Sequence, residues 1–177
     1  AGAAAVAREG LVQGAVLLKN CAAGRARCAE TPRQGQRAAL PLRADGLRAV
    51  AVRGPNANLS EAMAGYYGPG VVCGGRFPSV IDAVRAQLPA GANLSHAAGV
   101  PGVLSDDTSL LPAAAALAAA ADVTLLVLGT DLSVARENRD AVNLTFSKGQ
   151  LALVEAVVAA AAAPVVVLTL TAVPRAL

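Results

Sequence analysis

Apolar residues follow two rhythms along this chain, and the two alternate. Short runs with almost no polar break occur at Arg48–Arg53, Val123–Leu128 and Pro164–Leu168. Turn-forming Gly54-Pro55-Asn56 closes the first run and Gly129 closes the second, which is the signature of buried strands. Elsewhere apolar residues recur at three- and four-residue spacing, as in Val80, Ile81, Val84 and Leu88 behind Ser79. That spacing predicts helices from Ser79 to Leu88, from Asp106 to Ala121 and from Ser147 to about Ala161. Ser79 and Ser147 are N-cap residues, and Asp106 and Asp107 suit the positive end of a helix dipole. Asn93–Ala98 is a further expected strand. Ala1–Leu18 reads as a helix running into a short apolar strand. Residues 19–47 are loop-rich, and Tyr66–Gly70 is a glycine-rich loop holding the chain's two tyrosines.

Strands that are apolar on both faces belong in a parallel sheet covered by helices on both sides. The expected fold class is therefore α/β: a three-layer α/β/α sandwich around a mostly parallel sheet, with residues 1–177 as a single domain. Ligands of such sheets bind beyond the carboxyl ends of the strands. The loops Gly54–Ser60, Gly99–Asp107 and Gly129–Phe146 lie there. The last is far longer than a strand-to-helix connection requires. It carries Asp131, Glu137 and Asp140 together with Arg136 and Arg139.

Composition narrows the function classes. Apolar residues make up 55% and charged residues 15%, which argues against disorder. Aromatic residues are only 2%, so alanine and valine must fill the interior and helices must approach the sheet closely. The net charge of +3 is dispersed apart from a cluster between Arg25 and Arg37. Without stacking aromatics this disfavours nucleic-acid binding. Ala156–Val173 is uncharged, but Pro164 interrupts it and its second half is β-branched, so a helix followed by a strand is expected rather than a membrane span. Neither a Gly-x-Gly-x-x-Gly turn, a Walker motif nor a Gly-x-Ser-x-Gly elbow is present, which disfavours nucleotide binding and serine hydrolysis. The lone His96 has no ligand partner at zinc spacing, and no metal or cofactor is expected. Cys21 and Cys28 flank a polar loop and could close a small disulfide; reduced thiols fit the cysteine count equally well. Asn58-Leu59-Ser60, Asn93-Leu94-Ser95 and Asn143-Leu144-Thr145 are N-glycosylation acceptor sequences, and together they favour a secretory route.

A charged loop is most often simply solvated, and composition alone does not lift residues 129–146 above that reading. The order of motifs does. Ala7-Arg8-Glu9-Gly10, Val16-Leu17-Leu18-Lys19-Asn20, Leu40-Pro41-Leu42 and Val50-Ala51-Val52-Arg53-Gly54-Pro55-Asn56-Ala57-Asn58 follow one another. Gly65-Tyr66-Tyr67-Gly68, Cys73-Gly74, Phe77-Pro78-Ser79 and the stretch from Val127 to Gln150 come next. In this order they resemble the α/β sandwich domain of glycoside hydrolase family 3, in its β-xylosidase and α-arabinofuranosidase branch. The resemblance implies a retaining exo-glycosidase of xylan breakdown. In that family an upstream (β/α)8 barrel supplies the aspartate nucleophile, and this sandwich supplies the acid/base carboxyl. Residue by residue, Glu137 falls on the second Glu of "E-x-E" and is the expected proton donor. Asp131 falls on the first Asp of the stretch, as a sugar-hydroxyl acceptor or loop organiser. Asp140, Arg139, Tyr66 and Tyr67 are further expected substrate contacts. The implied partners are a carbohydrate substrate and the barrel of the same protein, with no membrane or nucleic acid. The implied location is extracellular, at the cell wall.

The departures are specific. Ala135 stands where "E-x-E" has its first Glu, and Ala141 where an Arg follows the Asp. An insertion between Asn20 and Leu40 holds Cys21 and Cys28. Thr171-Ala172-Val173-Pro174 replaces "S-G-G-P", after which the sandwich is expected to continue. The chain alone is expected to be inactive. Ala135 and Ala141 also leave open a second reading, a non-catalytic glycan- or partner-binding domain derived from such an enzyme.

Overall fold

The computed structural model describes residues 2–20, 38–59, 77–173 and 175–176. Two compact units are present, Ala1–Leu42 and Arg43–Leu177. In the first, α1 spans Ala3–Gly14 and has no side-chain cap. Its apolar residues Val6, Leu11 and Val12 are exposed. Residues 15–20 form no strand, in contrast to the sequence expectation, and pair with none among the described residues. A reciprocal pair of hydrogen bonds joins Asn20 to Leu40: each donates to the other at 2.9 Å.

The second unit is built from β1 (Ala49–Arg53), α2 (Val80–Arg85), β2 (Asn93–Ala97), α3 (Leu111–Ala119), β3 (Val123–Gly129), α4 (Lys148–Ala160) and β4 (Val165–Leu170). The strands form one sheet in the order β2-β1-β3-β4. Every pairing is parallel. The fold is the expected α/β sandwich. From β1 the chain goes to one side to make β2, then crosses back over β1 to make β3 and continues outward to β4. Right-handed crossovers therefore put α2 on one face and α3 with α4 on the other. Packing agrees: Leu126 and Leu128 of β3 form a buried cluster with Ala114 and Ala118 of α3 and Leu153 and Val157 of α4. Val127, between those two leucines, points to the opposite face by strand alternation and is also fully buried.

The helix boundaries have local causes. Ser79 and Asp82 make a reciprocal capping box that starts α2, and a turn ends it at Arg85 rather than at Leu88. Ser147 caps α4 by accepting from the Gln150 amide. The helix expected from Asp106 begins only at Leu111, with Pro112 in its first turn. Asp107 instead accepts from the Ser109 amide at 2.8 Å in an Asx turn, so neither Asp106 nor Asp107 lies in the helix. The expected burial of the last strand is also corrected. β4 is the sheet's edge, and its residues from Val167 onward are exposed. Among the described residues no helix is long and apolar enough to cross a membrane.

At the amino ends of the strands, Asp122 ties β3 to β1. Its carboxylate accepts from the backbone amides of Arg48 at 2.7 Å and Ala49 at 2.8 Å. Those two bonds, helped by the charge of Arg48, hold its pKa below the ordinary 3.8. A carboxyl with a depressed folded pKa stabilises the fold above its unfolded pKa, and that contribution fades as pH falls through the folded value. Asp122→Asn should therefore be less stable than the parent at pH 6. The gap should close as urea unfolding is repeated at pH values stepping below 3.8. A gap that stays constant with pH would show that the charge contributes nothing.

Candidate functional site

The reversal of winding direction between β1 and β3 creates a switch point, and the carboxyl ends of these two strands are where such sheets hold ligands. Here the floor of that crevice is closed by backbone. Gly54 leaves β1 with φ +112° and lies against the Val127 carbonyl, where any Cβ would collide. Gly129 ends β3 pressed between Leu170 and Asn56. Asn56, fully buried, donates from Nδ2 to the Thr130 carbonyl at 3.0 Å. Its Oδ1 has no partner among the described residues.

Gln150, in the first turn of α4, fixes the point where the long loop departs. Its Oε1 accepts from the Gly129 amide at 3.0 Å. Its Nε2 donates to the Gly129 carbonyl at 3.1 Å and to the Val103 carbonyl at 2.8 Å. One carboxamide thus joins β3, α4 and the loop after β2.

Beyond Gly129 the chain turns at once. Asp131, half-buried, accepts on Oδ1 from the Ser133 amide at 2.8 Å and from the Ser133 hydroxyl. It organises the loop as an Asx turn. Arg136 and Arg139 then exchange backbone hydrogen bonds at 2.9 Å in both directions. Glu137 and Asn138 form the corner between them. Asn138 has φ 61°, a left-handed conformation that asparagine tolerates better than most residues. Glu137 is exposed at this corner; Arg139 and Asp140 are exposed beside it. Asp131 thus has one carboxylate oxygen engaged in its own turn, whereas Glu137 is held out toward solvent. Among the described residues no three of His, Cys, Asp or Glu are grouped to hold a metal ion. Tyr66, Tyr67, Cys21 and Cys28 lie outside the described residues.

The sequon asparagines Asn58, Asn93 and Asn143 are all exposed. Asn143 Oδ1 accepts from the Thr145 amide at 2.9 Å and the Thr145 hydroxyl at 2.8 Å. Ser95, by contrast, is engaged by Arg53. That arginine stands at the end of β1 with no exposed surface, and donates to the carbonyls of Val52 and Ser95 at 2.8 Å, to Ser95 Oγ at 2.9 Å and to the Ala114 carbonyl at 3.3 Å. Burial pulls its pKa from 12.5 down to about 10, and it remains a cation at neutral pH. Burial, and then this neighbouring charge, lower the pKa of His96. Three polar residues of this edge were missed by sequence reasoning: Gln150, Arg53 and Arg175. Arg53 had a signal, since it is a cation inside a strand whose neighbours are apolar. Gln150 was visible only as the end of a motif.

Comparison with known proteins adds to this geometry. The sequence profile described as "Glycosyl hydrolase family 3 C-terminal domain" matches residues 15–177. "Beta-xylosidase/alpha-L-arabinofuranosidase 2" of Medicago sativa subsp. varia is 36% identical over 161 residues, covering 91% of this chain and 18% of that protein. "Beta-D-xylosidase 3" of Arabidopsis thaliana is 34% identical over 168 residues, covering 94% of this chain and 18% of its own length. Among solved structures, a "GH3 exo-beta-xylosidase (XlnD) in complex with xylobiose aziridine activity based probe" aligns with a TM-score of 0.61 and 29% identity. That alignment covers 73% of this chain and 16% of the other. A β-glucosidase "involved in saponin metabolism from intestinal bacteria" aligns with a TM-score of 0.65 at 21% identity, which speaks for the fold alone. The chain thus spans less than a fifth of the length of these curated relatives.

Replacing Gln150 by Leu removes all three of its hydrogen bonds and leaves buried groups of Gly129 and Val103 unpaired. Gln150→Leu should cost about 3 kcal/mol in urea unfolding. Gln150→Glu should cost at least as much, since it aims a carboxylate at two carbonyl oxygens. Losses under about 0.5 kcal/mol, the range of surface changes, would show that the clamp is dispensable.

Proposed function

This chain belongs to glycosyl hydrolase family 3, as its C-terminal domain, and we propose that it forms the acid/base wall of a retaining, β-xylosidase-like exo-glycosidase acting on xylan-derived sugars. The observation that carries this reading is the presentation of Glu137. The corner between Arg136 and Arg139 holds this carboxyl out in solvent, on the loop that leaves the sheet's switch point. A general acid must reach a glycosidic oxygen outside its own fold, and an exposed, turn-fixed carboxyl meets that need. Asp131 has the complementary role of holding the loop's departure through Ser133.

Retaining hydrolysis requires a second carboxyl about 5 Å away as nucleophile. In this reading that group comes from a (β/α)8 barrel in the same protein, and Glu137 protonates the leaving oxygen, then activates water as a base. Asp140, Arg139, Tyr66 and Tyr67 contact the sugar. The similarity to plant and fungal β-xylosidases supports xylose over other sugars.

The test uses the full-length protein carrying this chain. Glu137→Gln should lower kcat/KM for xylobiose by about 100-fold or more, because its leaving group needs protonation. An aryl xyloside with a good leaving group should suffer much less in its first step. Equal losses on both substrates, or none on xylobiose, would sink the assignment. The reading also includes a secreted glycoprotein of the cell wall, with sugar on exposed Asn58, Asn93 and Asn143. Protein recovered from its native source should lose mass on treatment with an N-glycosidase; an unchanged mass rules this part out.

A further inference from the structure

Among the described residues, only backbone places the Glu137 carboxyl. The side-chain hydrogen bonds within its loop join Ser133 to Asp131, Arg136 to the Leu132 carbonyl and Thr145 to Asn143, and none reaches Glu137. The ion pair among the described residues is on α2, between Arg85 and Asp82. Where Glu137 stands is therefore set by the four-residue reversal Arg136-Glu137-Asn138-Arg139. Its ends exchange N–H···O bonds of 2.9 Å in both directions, and the pairing is an isolated bridge.

The third residue of the reversal, Asn138, has φ 61° and is the one non-glycine residue with positive φ among the described residues. Glu137 before it does not share that sign, so the reversal follows the type II pattern, which requires φ > 0 at its third position. Type II turns do not match the twist of paired strands, so the backbone gains little help from the pairing it closes. Charge opposes the reversal as well. Residues that exchange both bonds stand directly opposite one another with their side chains on one face, and here these are the exposed Arg136 and Arg139, two like charges. What closes the turn against these costs is a residue that enters the left-handed region readily. Asparagine does so far better than β-branched residues.

We infer that Asn138 is a positioning residue for Glu137: its left-handed backbone fixes the corner from which the carboxyl meets the glycosidic oxygen. This inference rests on the acid/base reading of Glu137. The carboxyl proton passes to the glycosidic oxygen as the bond from that oxygen to the anomeric carbon breaks, so the two oxygens must come within hydrogen-bond reach. A displacement of about 1 Å at such a contact can cost about 100-fold in rate. An activated leaving group departs without that proton, so misplacement of the carboxyl spares it.

The experiment places Asn138→Gly, Asn138→Ala and Asn138→Val in the full-length protein and compares each with Glu137→Gln. Glycine accepts positive φ, so Asn138→Gly should keep kcat/KM for xylobiose within about twofold of the parent. Asn138→Val should lower it by about tenfold or more, with Asn138→Ala between the two. In all three, kcat/KM for an aryl xyloside with a good leaving group should stay near the parent value. The corner is exposed, so the melting temperatures should also match the parent's. Hydrogen exchange at the Arg139 amide should quicken more in Asn138→Val than in Asn138→Gly, which reads the turn without reference to activity. Equal losses in the glycine and valine variants overturn the role of positive φ. Equal losses on both substrates mark a residue that supports the fold only, and overturn the positioning. Parent activity of Asn138→Val on xylobiose, where Glu137→Gln is impaired on that substrate alone, overturns the positioning and leaves the acid/base reading standing. Parent activity of Glu137→Gln removes both. Should Asn138→Val fail to fold, the comparison of Asn138→Ala with Asn138→Gly decides by the same criteria.

Discussion

Gly129 reaches beyond the end of β1, and much of the candidate site depends on how that gap is filled. The pairing of β1 with β3 stops at Arg53 and Leu126, whereas β3 and β4 pair on to Gly129 and Leu170. Thr124 and Thr130 donate toward β4, so by alternation the amide and carbonyl of Gly129 face the side that β1 has vacated. Buried and unpaired, they would be costly. Gln150 answers both with one carboxamide and takes the Val103 carbonyl as well. A side chain on a helix thus acts as the missing strand. This fixes α4 to the sheet, and with it the two ends of the loop that carries Asp131, Glu137 and Asp140. Gly129 has to be glycine for the same reason, since Leu170 and Asn56 leave no room for a Cβ.

Charge is distributed unevenly around that clamp. The carboxyl groups with depressed pKa values, Asp82, Asp107 and Asp122, are each held by backbone amides and serve as caps or ties. The cations at the carboxyl edge of the sheet are satisfied differently. Arg53 is wholly buried and, among the described residues, meets carbonyls and a hydroxyl. Arg175 meets two carbonyls. Carbonyl oxygens satisfy donors without cancelling charge, so these guanidinium groups keep their positive charge. A guanidinium remains charged under such conditions where an amine would lose its proton, which is a physical reason for arginine at Arg53.

Much of the fold was legible in the chain. The apolar runs at Arg48–Arg53 and Val123–Leu128 became the two central strands, and their lack of alternation correctly implied a parallel sheet. Ser79 and Ser147 were readable caps because capping involves residues only three apart. The errors came where a short-range signal met a longer-range one. Asp106 and Asp107 looked like a first helical turn, but Pro112 and an Asx turn at Asp107 moved the start to Leu111. Pro164–Leu168 looked as buried as Val123–Leu128, because hydrophobicity does not say which strand lies at the edge. Of the candidate site, the loop and its acids were visible in order. Their different surroundings were not, because the Asp131–Ser133 turn and the Arg136–Arg139 pairing depend on backbone path.

The sequence by itself determined the succession of strands and helices, the parallel class of the sheet, the family and the position of the acid-bearing loop. These are properties of local period, capping and motif order, all written within a few residues of one another. Tertiary structure alone decided that Gln150 replaces a strand at Gly129, that Arg53 is buried among carbonyls and a hydroxyl, and that Glu137 is exposed while Asp131 is half-buried. Each of these joins groups far apart in the chain. A residue's hydrogen-bond partners at such range follow from which strand ends first and which face a helix covers, and no local pattern encodes that.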